Sequence, residues 1–467
     1  EPGRSPIDPT AYRPRLAERW ERMDSLTWRF HLAPDARWAD GEPVTAEDVR
    51  FSFDAFSDSV LDAVARPVLA GRVRVTVEDQ RTFLVSFRGA YPEQLYDATY
   101  HVRILPRHIW GRVPRTTWAA DTVIARLVGS GPYRVREWKR SQYLALEARD
   151  TGRHPPGPRT IVWRFAQEPE AALNLVLAHE ADLMELAAVP RGVGRVAADT
   201  AFRVVRYPSA AYGFIGFNLA DSQGRPQPVL GDRATRRALA MAVDRTALAR
   251  SAFDSSAVPP PGPMSRLLWI WSDQIHTLPF DPAGAGRILE AAGWHRGPDG
   301  VRRRGGRSLA FDILVPSTSS VRRQLAVELQ AMWDNLGARV TVTSVDFPLF
   351  QERLSRRRFD SYLGAWLDEP SPRGLADQWT RAGWDALNYG HYANPVFDSL
   401  FSRAGRLADP AAARAAYREA MDTLNADAPA VFLYTPTNAA AVSRRIGNVE
   451  IHPYSWLSGI ASWRLRR

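Results

Sequence analysis

The sequence predicts an α/β protein of two or three domains, and three observations carry that prediction. The chain has 467 residues, too many to gather around one hydrophobic core. Short strand-like segments alternate with helical ones almost throughout. One stretch, residues 308–370, spells out β-α-β-α-β, the half-unit of a doubly wound parallel sheet.

In chain order, the first well-marked element is "WADGEPVTAEDVRFSF" (Trp38–Phe53). Asp40-Gly41 fits a tight turn in which glycine supplies a positive φ angle. Pro43 stiffens the approach to Thr45, which sits at an N-cap position with Asp48 at N3, a variant of the capping box. Val49, Phe53 and Phe56 then form an apolar stripe. Turn plus capped helix accounts for every residue, so the stretch reads as a structural joint and not as a catalytic box. Two Pro-rich stretches, "HPPGPRT" (His154–Thr160) and "VPPPGPM" (Val258–Met264), are too short for tethers and read as ordered surface loops.

"AYGFIGFNLA" (Ala210–Ala220 region) reads as a strand with two distinct faces. Ala211, Gly213, Ile215, Phe217 and Leu219 make a small, apolar face suited to a core. Tyr212, Phe214, Gly216 and Asn218 make an aromatic and polar face suited to a cleft wall, with burial on both faces as the alternative. In the βαβαβ unit, "SLAFDILVP" ends at Pro316. A helix with Val321, Leu325, Leu329, Met332 and Leu336 on one face follows, capped by Ser or Thr and stopped by Gly337. "ARVTVTSVD", "FPLFQERLSRR" and "FDSYLGAWLD" supply strand, short helix and strand. Sheets of this kind bind ligands beyond the carboxyl ends of their strands, here Trp366–Asp368.

Composition narrows the function. Hydrophobic content of 45% and charged content of 24% are ordinary for a globular protein, and no stretch approaches the roughly 20 apolar residues that span a bilayer. A net charge of +10 invites a nucleic-acid reading. However, every basic residue except Lys139 is an arginine, and these are scattered. The clusters Arg302–Arg304 and Arg356–Arg358 carry no aromatic platform, so no nucleic-acid partner is expected. The absence of cysteine removes disulfides, thiolate zinc sites and thiol nucleophiles. Lys139 is followed by Arg140, which breaks a Walker A motif, "GSGPY" lacks the nucleophile-elbow spacing, and Leu183 stands where a zincin helix needs its second histidine. No catalytic constellation, metal or cofactor is expected.

"LAERWE" (Leu16–Glu21), "LTWRFHL" (Leu26–Leu32) and "WADGEPVTAEDVRFSF" closely resemble the family 5 extracellular solute-binding proteins, the peptide/nickel class of receptors for ABC importers. "ILPRHIW" (Ile104–Trp110), "VGSGPYRVREWKR" (Val128–Arg140), "RATRRALAMAVDR" (Arg233–Arg245), "AGRILEAAGW" (Ala285–Trp294), "NPVFDSLF" (Asn394–Phe401) and "LNADAPAVFLY" (Leu424–Tyr434) follow in the family's order. The resemblance implies a periplasmic-binding-protein type II fold, with two α/β lobes closing on ligand and an extra domain beside the first. Carried across, residues 1–128 are the extra domain, 129–232 with 442–467 the first lobe, and 233–441 the second. Family members have a leader and the first strand of the first lobe ahead of "LAExWE", so the resemblance leads us to expect a chain lacking that segment.

The resemblance also points to a site. Peptide-binding members pair the ligand's α-ammonium group with an acidic residue shortly after a Trp at the end of a second-lobe strand. The corresponding segment here is "GAWLDEPSP" (Gly364–Pro372), which offers Asp368 or Glu369 after Trp366. Trp384, with Tyr212, Phe214 and Asn218, is expected to line the cleft. The resulting expectation is a monomeric, extracytoplasmic receptor that captures a peptide-like solute and hands it to ABC permease subunits. It catalyses no reaction and meets the membrane only through the permease or a lipid anchor. Nickel chelate, haem, sugar or opine ligands, and a hydrolase on the same scaffold, are the alternatives.

Overall fold

The computed structural model describes residues 6–61, 63, 65–121, 123–149, 157–187, 189, 191–221 and 223–466. The chain divides into two compact units, one of residues 1–207 with 438–467 and one of residues 208–437. It passes between them twice, at Tyr207–Pro208 and at Thr437–Asn438.

In the first unit, strands β1 (Ala17–Arg22), β2 (Thr27–Leu32), β3 (Val73–Val77) and β4 (Thr82–Phe87) form an antiparallel sheet in the order β1-β2-β4-β3. β2 and β4 alternate partly buried and buried residues, so one face packs a core of Phe30, Phe83, Val85, Val49 and Phe53. Helix α1 (Ala46–Ser57) covers that face. It starts where the sequence places it. The Thr45 hydroxyl accepts from the Asp48 amide, and Asp48 Oδ2 accepts from the Thr45 amide at 2.8 Å. Asp48 Oδ1 also accepts from the Arg107 amide at 2.8 Å, which ties the cap to a distant loop. Gly41 has φ +95°, the left-handed value the Asp40-Gly41 turn requires.

A second, three-stranded antiparallel sheet follows, β5 (Tyr133–Lys139), β6 (Tyr143–Ala148) and β7 (Thr160–Arg164), in chain order. Of the stretch His154–Thr160, residues 154–156 lie outside the described residues. The unit also holds β8 (Leu183–Glu185) and β9 (Phe202–Pro208).

The second unit is built on a mixed sheet. β10 (Ala211–Phe217) is followed by β11 (Ala310–Pro316), α2 (Ser320–Leu336), β12 (Arg339–Val345), α3 (Phe347–Ser355) and β13 (Ser361–Leu367). The βαβαβ reading is observed as such, since β11 pairs in parallel with both β12 and β13. Ser319 caps α2, and Gly337 ends it at φ +97°. Met332 packs partly buried against the unit's core as expected, and Trp333 joins it, fully buried, with its indole N–H donating to Leu239 O at 2.9 Å. The long strand β14 (Ala430–Ser443) completes the order β14-β10-β13-β11-β12. Val431 and Leu433 belong to the second unit's core with Ile215, Phe217 and Leu363. Beyond the crossing, β14 pairs with β8 and β9, and Ala439 and Ala441 enter a first-unit core with Leu173, Val176 and Phe202.

The Val258–Met264 stretch is ordered, as expected, but its end is not on the surface. Met264 and Ser265 are completely buried, because the apolar run "LLWI" that follows draws the chain inward.

Candidate ligand site

The two central strands of the second unit solve a packing problem that bears on the site. Tyr212 lies opposite Trp366, Phe214 opposite Gly364, and Gly216 opposite Tyr362, so these six residues share one face. A Cβ at Gly364 would lie 2.7 Å from the Phe214 ring, and one at Gly216 the same distance from the Tyr362 ring. Each glycine therefore makes room for the aromatic ring across from it. The rings of Tyr362 and Trp379 stand edge-on to Phe214, with centroids at 5.5 and 5.4 Å. Trp379 comes from α4 (Leu375–Trp379).

Tyr212 and Phe214 are completely buried by this packing. The Tyr212 hydroxyl donates to Gln378 Oε1 at 2.5 Å and accepts from the Trp379 indole at 3.2 Å. The expectation that these two rings form a cleft wall is thus corrected. The even face of β10 is a second core layer, because α4 covers it, with Phe432 beside Phe214 on the neighbouring strand. At the far end of that face, past Trp366, the chain reaches Asp368.

Asp368 is 8% exposed. Its amide extends the β10–β13 ladder by donating to Ala210 O at 2.7 Å. Its Oδ2 accepts from the Ser265 amide at 2.5 Å, and the Ser265 hydroxyl also serves the carboxyl. Among the described residues it has no ion-pair partner. Burial pushes the carboxyl up to about 7, only partly offset by the Ser265 donors. Trp366, partly buried, stacks on Tyr389 with centroids 6.2 Å apart. Glu369, one residue on, is exposed. Strand parity explains the contrast, since neighbouring side chains point to opposite sides. Ser265 was not legible as a partner in sequence; the only signal is its place between a rigid Pro-rich run and an apolar run.

Asn218 and Trp384 do not join this group, a further correction. β10 runs from Ala211, opposite Leu367, to Phe217, opposite Ser361. Asn218 therefore lies at the other end of the strand from Asp368, which is level with Ala210, roughly 27 Å away at about 3.4 Å per residue. The Asn218 side-chain amide donates to Phe359 O at 2.9 Å and so fixes the loop before β13. Trp384 lies at that same end. Arg357, whose carbonyl faces the Asn218 amide, donates to Trp384 O. The Trp384 ring stacks on His391 and lies against the Arg381 guanidinium, each at 4.3 Å, and its indole N–H donates to Tyr392 O at 2.8 Å. Both residues are committed to packing.

No group of three or more metal-ligating side chains occurs among the described residues, and no helix among them is long and apolar enough to cross a membrane. The site that remains is a buried carboxyl, without a counter-charge, at the carboxyl end of a parallel strand. Residues 11–386 match the model of the bacterial extracellular solute-binding proteins, family 5. The chain belongs to that family, whose members serve ABC importers from outside the cytoplasm, and it has the type II periplasmic-binding-protein fold. It is 31% identical to Protein XP55 of Streptomyces lividans over 88% of this chain and 73% of that protein. It is 24% identical to the oligopeptide-binding protein AppA of Bacillus subtilis, over 97% and 83% respectively. The crystal structure of B. subtilis AppA with a nonapeptide superposes with a TM-score of 0.77 at 23% identity, covering 97% of this chain and 90% of that one. NikZ of Campylobacter jejuni in complex with Ni(L-His) gives 0.81 at 22% identity, with the same coverage.

Proposed function

We infer that this protein captures a peptide or peptide-like solute outside the cytoplasm, pairs the solute's ammonium group with Asp368, and delivers it to an ABC permease without catalysing a reaction. The observation that carries the reading is the state of Asp368. A buried carboxyl costs stability when charged unless a cation accompanies it. Among the described residues the chain provides two donors from Ser265 and no cation, so the missing positive charge is supplied by a ligand. Trp366, on the same face and stacked on Tyr389, offers an apolar surface beside the ammonium. The oligopeptide-binding relatives support a peptide, and the membership of a nickel-complex receptor in the same fold marks the competing class of solute.

Calorimetry tests this with a set of short peptides and their N-acetylated forms against the wild type, Asp368→Asn and Glu369→Gln. Asp368→Asn leaves the ammonium buried and unpaired, a loss of roughly 2–5 kcal/mol, or about 30-fold to several-thousand-fold in affinity. Acetylation does the same from the ligand's side, and Glu369→Gln changes little. Peptides that bind equally well with and without a free amine, in wild type and Asp368→Asn alike, refute the assignment.

A further inference from the structure

We propose that the stretch from Ala257 to Ser265 is a rigid arm that sets the charge of the Asp368 carboxyl, with Arg245 and Ser265 as its positioning residues. What the arm is for rests on a solute paired with Asp368, but its action shows in the empty protein as well.

The arm is pinned along its length. Ala257 and Val258 pair with Pro436 and Thr435 of β14, which fixes where it starts. Pro259, Pro260, Pro261 and Pro263 follow, each with its φ angle locked by the ring. Two helices hold the carbonyls of this run. Asn425, in the helix Pro410–Asp427, donates to Pro261 O at 2.7 Å. Arg245, at the start of the helix Arg245–Phe253, donates to Pro260 O at 3.2 Å and to Phe432 O at 3.4 Å. Gly262 leaves space for two methionines, since a Cβ there would lie 3.2 Å from Met264 and 3.6 Å from Met421. Met264 is completely buried.

Arg245 is otherwise hard to explain. It is partly buried, and burial holds its guanidinium below the usual arginine range. Among the described residues no carboxylate pairs with it, and a cation so placed does little for the fold by itself. What it does is tie the arm to β14, the neighbour of β10, and β10 is the strand whose ladder Asp368 extends.

At the end of the arm Ser265 is completely buried, with its amide on Asp368 Oδ2 at 2.5 Å and its hydroxyl on the same carboxyl. Both donors favour the charged carboxyl against the burial that opposes it. The other groups around Asp368 do not compete for that role. Tyr212 is engaged by Gln378 and Trp379 and kept neutral by burial. Arg266 is exposed and lies over the Trp271 ring at 5.6 Å, and Glu369 is exposed. Ser265 is therefore the residue through which the fold chooses the pH above which Asp368 takes an ammonium.

The test uses the full chain, with urea denaturation of the empty protein and calorimetry with short amine-bearing peptides, each from pH 5 to 8.5. The wild-type fall in stability ends near pH 7; Ser265→Ala, which lacks the hydroxyl, is expected to carry it about one pH unit higher. Its peptide affinity is expected to lie about tenfold below wild type at pH 6 and within about twofold at pH 8.5, because the ionised fraction changes tenfold per pH unit below the transition. Arg245→Met, which frees the arm at Pro260, shifts both profiles in the same direction. In an Asp368→Asn background neither substitution alters the pH profile. A ratio of Ser265→Ala to wild-type affinity that stays constant with pH, with an unshifted stability profile, overturns the proposal, since the arm then only shapes the pocket. Arg245→Met that folds and keeps the wild-type profiles removes Arg245 from it, and if that variant does not fold, Ser265→Ala decides alone. A shifted stability profile in a protein that binds none of the peptides upholds the arm and refutes the solute reading instead.

Discussion

Replacing Asp368 with asparagine is expected to act in opposite directions on the empty and the loaded protein. Burial raises the carboxyl from its ordinary 3.8 to about 7, so the folded state holds a proton that the unfolded chain releases near pH 4. Between those values the native protein binds more protons than the unfolded one, and stability falls as pH rises. The contribution is intact below about pH 4, declines through the interval, and is fully lost above about pH 7, a total of roughly 4 kcal/mol. Asparagine retains an oxygen that accepts from the Ser265 amide but carries no charge. In the ligand-free protein at pH 8, Asp368→Asn is therefore expected to be more stable by up to that amount, and its stability should be flat from pH 5 to 8 in this respect. Urea denaturation at each pH, followed by tryptophan emission, measures both slopes. With an amine-bearing peptide the order reverses, since only the carboxylate pairs with the ammonium. Wild-type affinity is expected to weaken about tenfold for each pH unit below 7, where proton and ligand compete, and the variant's to change little. Parallel pH slopes for the two empty proteins, or a variant less stable at pH 8, refute the claim that this carboxyl is buried without a counter-charge.

Three further substitutions test the scaffold. Thr45→Ala removes the N-cap of α1 and is expected to cost about 1 kcal/mol. Asp48→Ala, which also orphans the Arg107 amide, should cost about 2–4 kcal/mol; neither should alter solute affinity, and calorimetry alongside denaturation separates the two effects. Gly364→Ala drives a methyl group into the Phe214 ring and is expected to destabilise by roughly 1–3 kcal/mol, with Phe214→Leu on the same background restoring part of the loss.

Periodicity made the local elements legible. The α1 cap, the βαβαβ unit and the α2 stop are all determined by residues within one or two turns of each other, and each is found where the pattern places it. The site was legible only in part. Asp368 could be located because strand parity and the carboxyl-end rule both act on nearby residues. Whether Tyr212 and Phe214 face a ligand depends on what covers the sheet, and α4, more than 150 residues downstream, decides it. An alternating aromatic and small pattern reads the same in a cleft wall and in a two-sided core. Asn218 was misplaced for a related reason: the strand was recognised, but which of its ends meets Asp368 depends on pairing with β13. Ser265 lay beyond sequence reasoning, because a buried serine and an exposed one leave the same trace.

Strand β14 has a consequence for how the protein is made. Its first half closes the edge of β10, and its second half is the partner of β8 and β9. Until residues 430–443 have been synthesised, β10 keeps an unpaired edge with hydrophobic flanks, and the layer that includes Leu173 and Phe202 lacks Ala439 and Ala441. Neither unit can therefore complete its folding on the ribosome ahead of the other, although most of the residues of both precede that strand. A chain made up to that point exposes an unpaired strand edge, the feature that favours wrong pairing between chains. The arrival of one late strand then closes the edge of β10 and brings Ala439 and Ala441 to the first unit, which the residues after it complete.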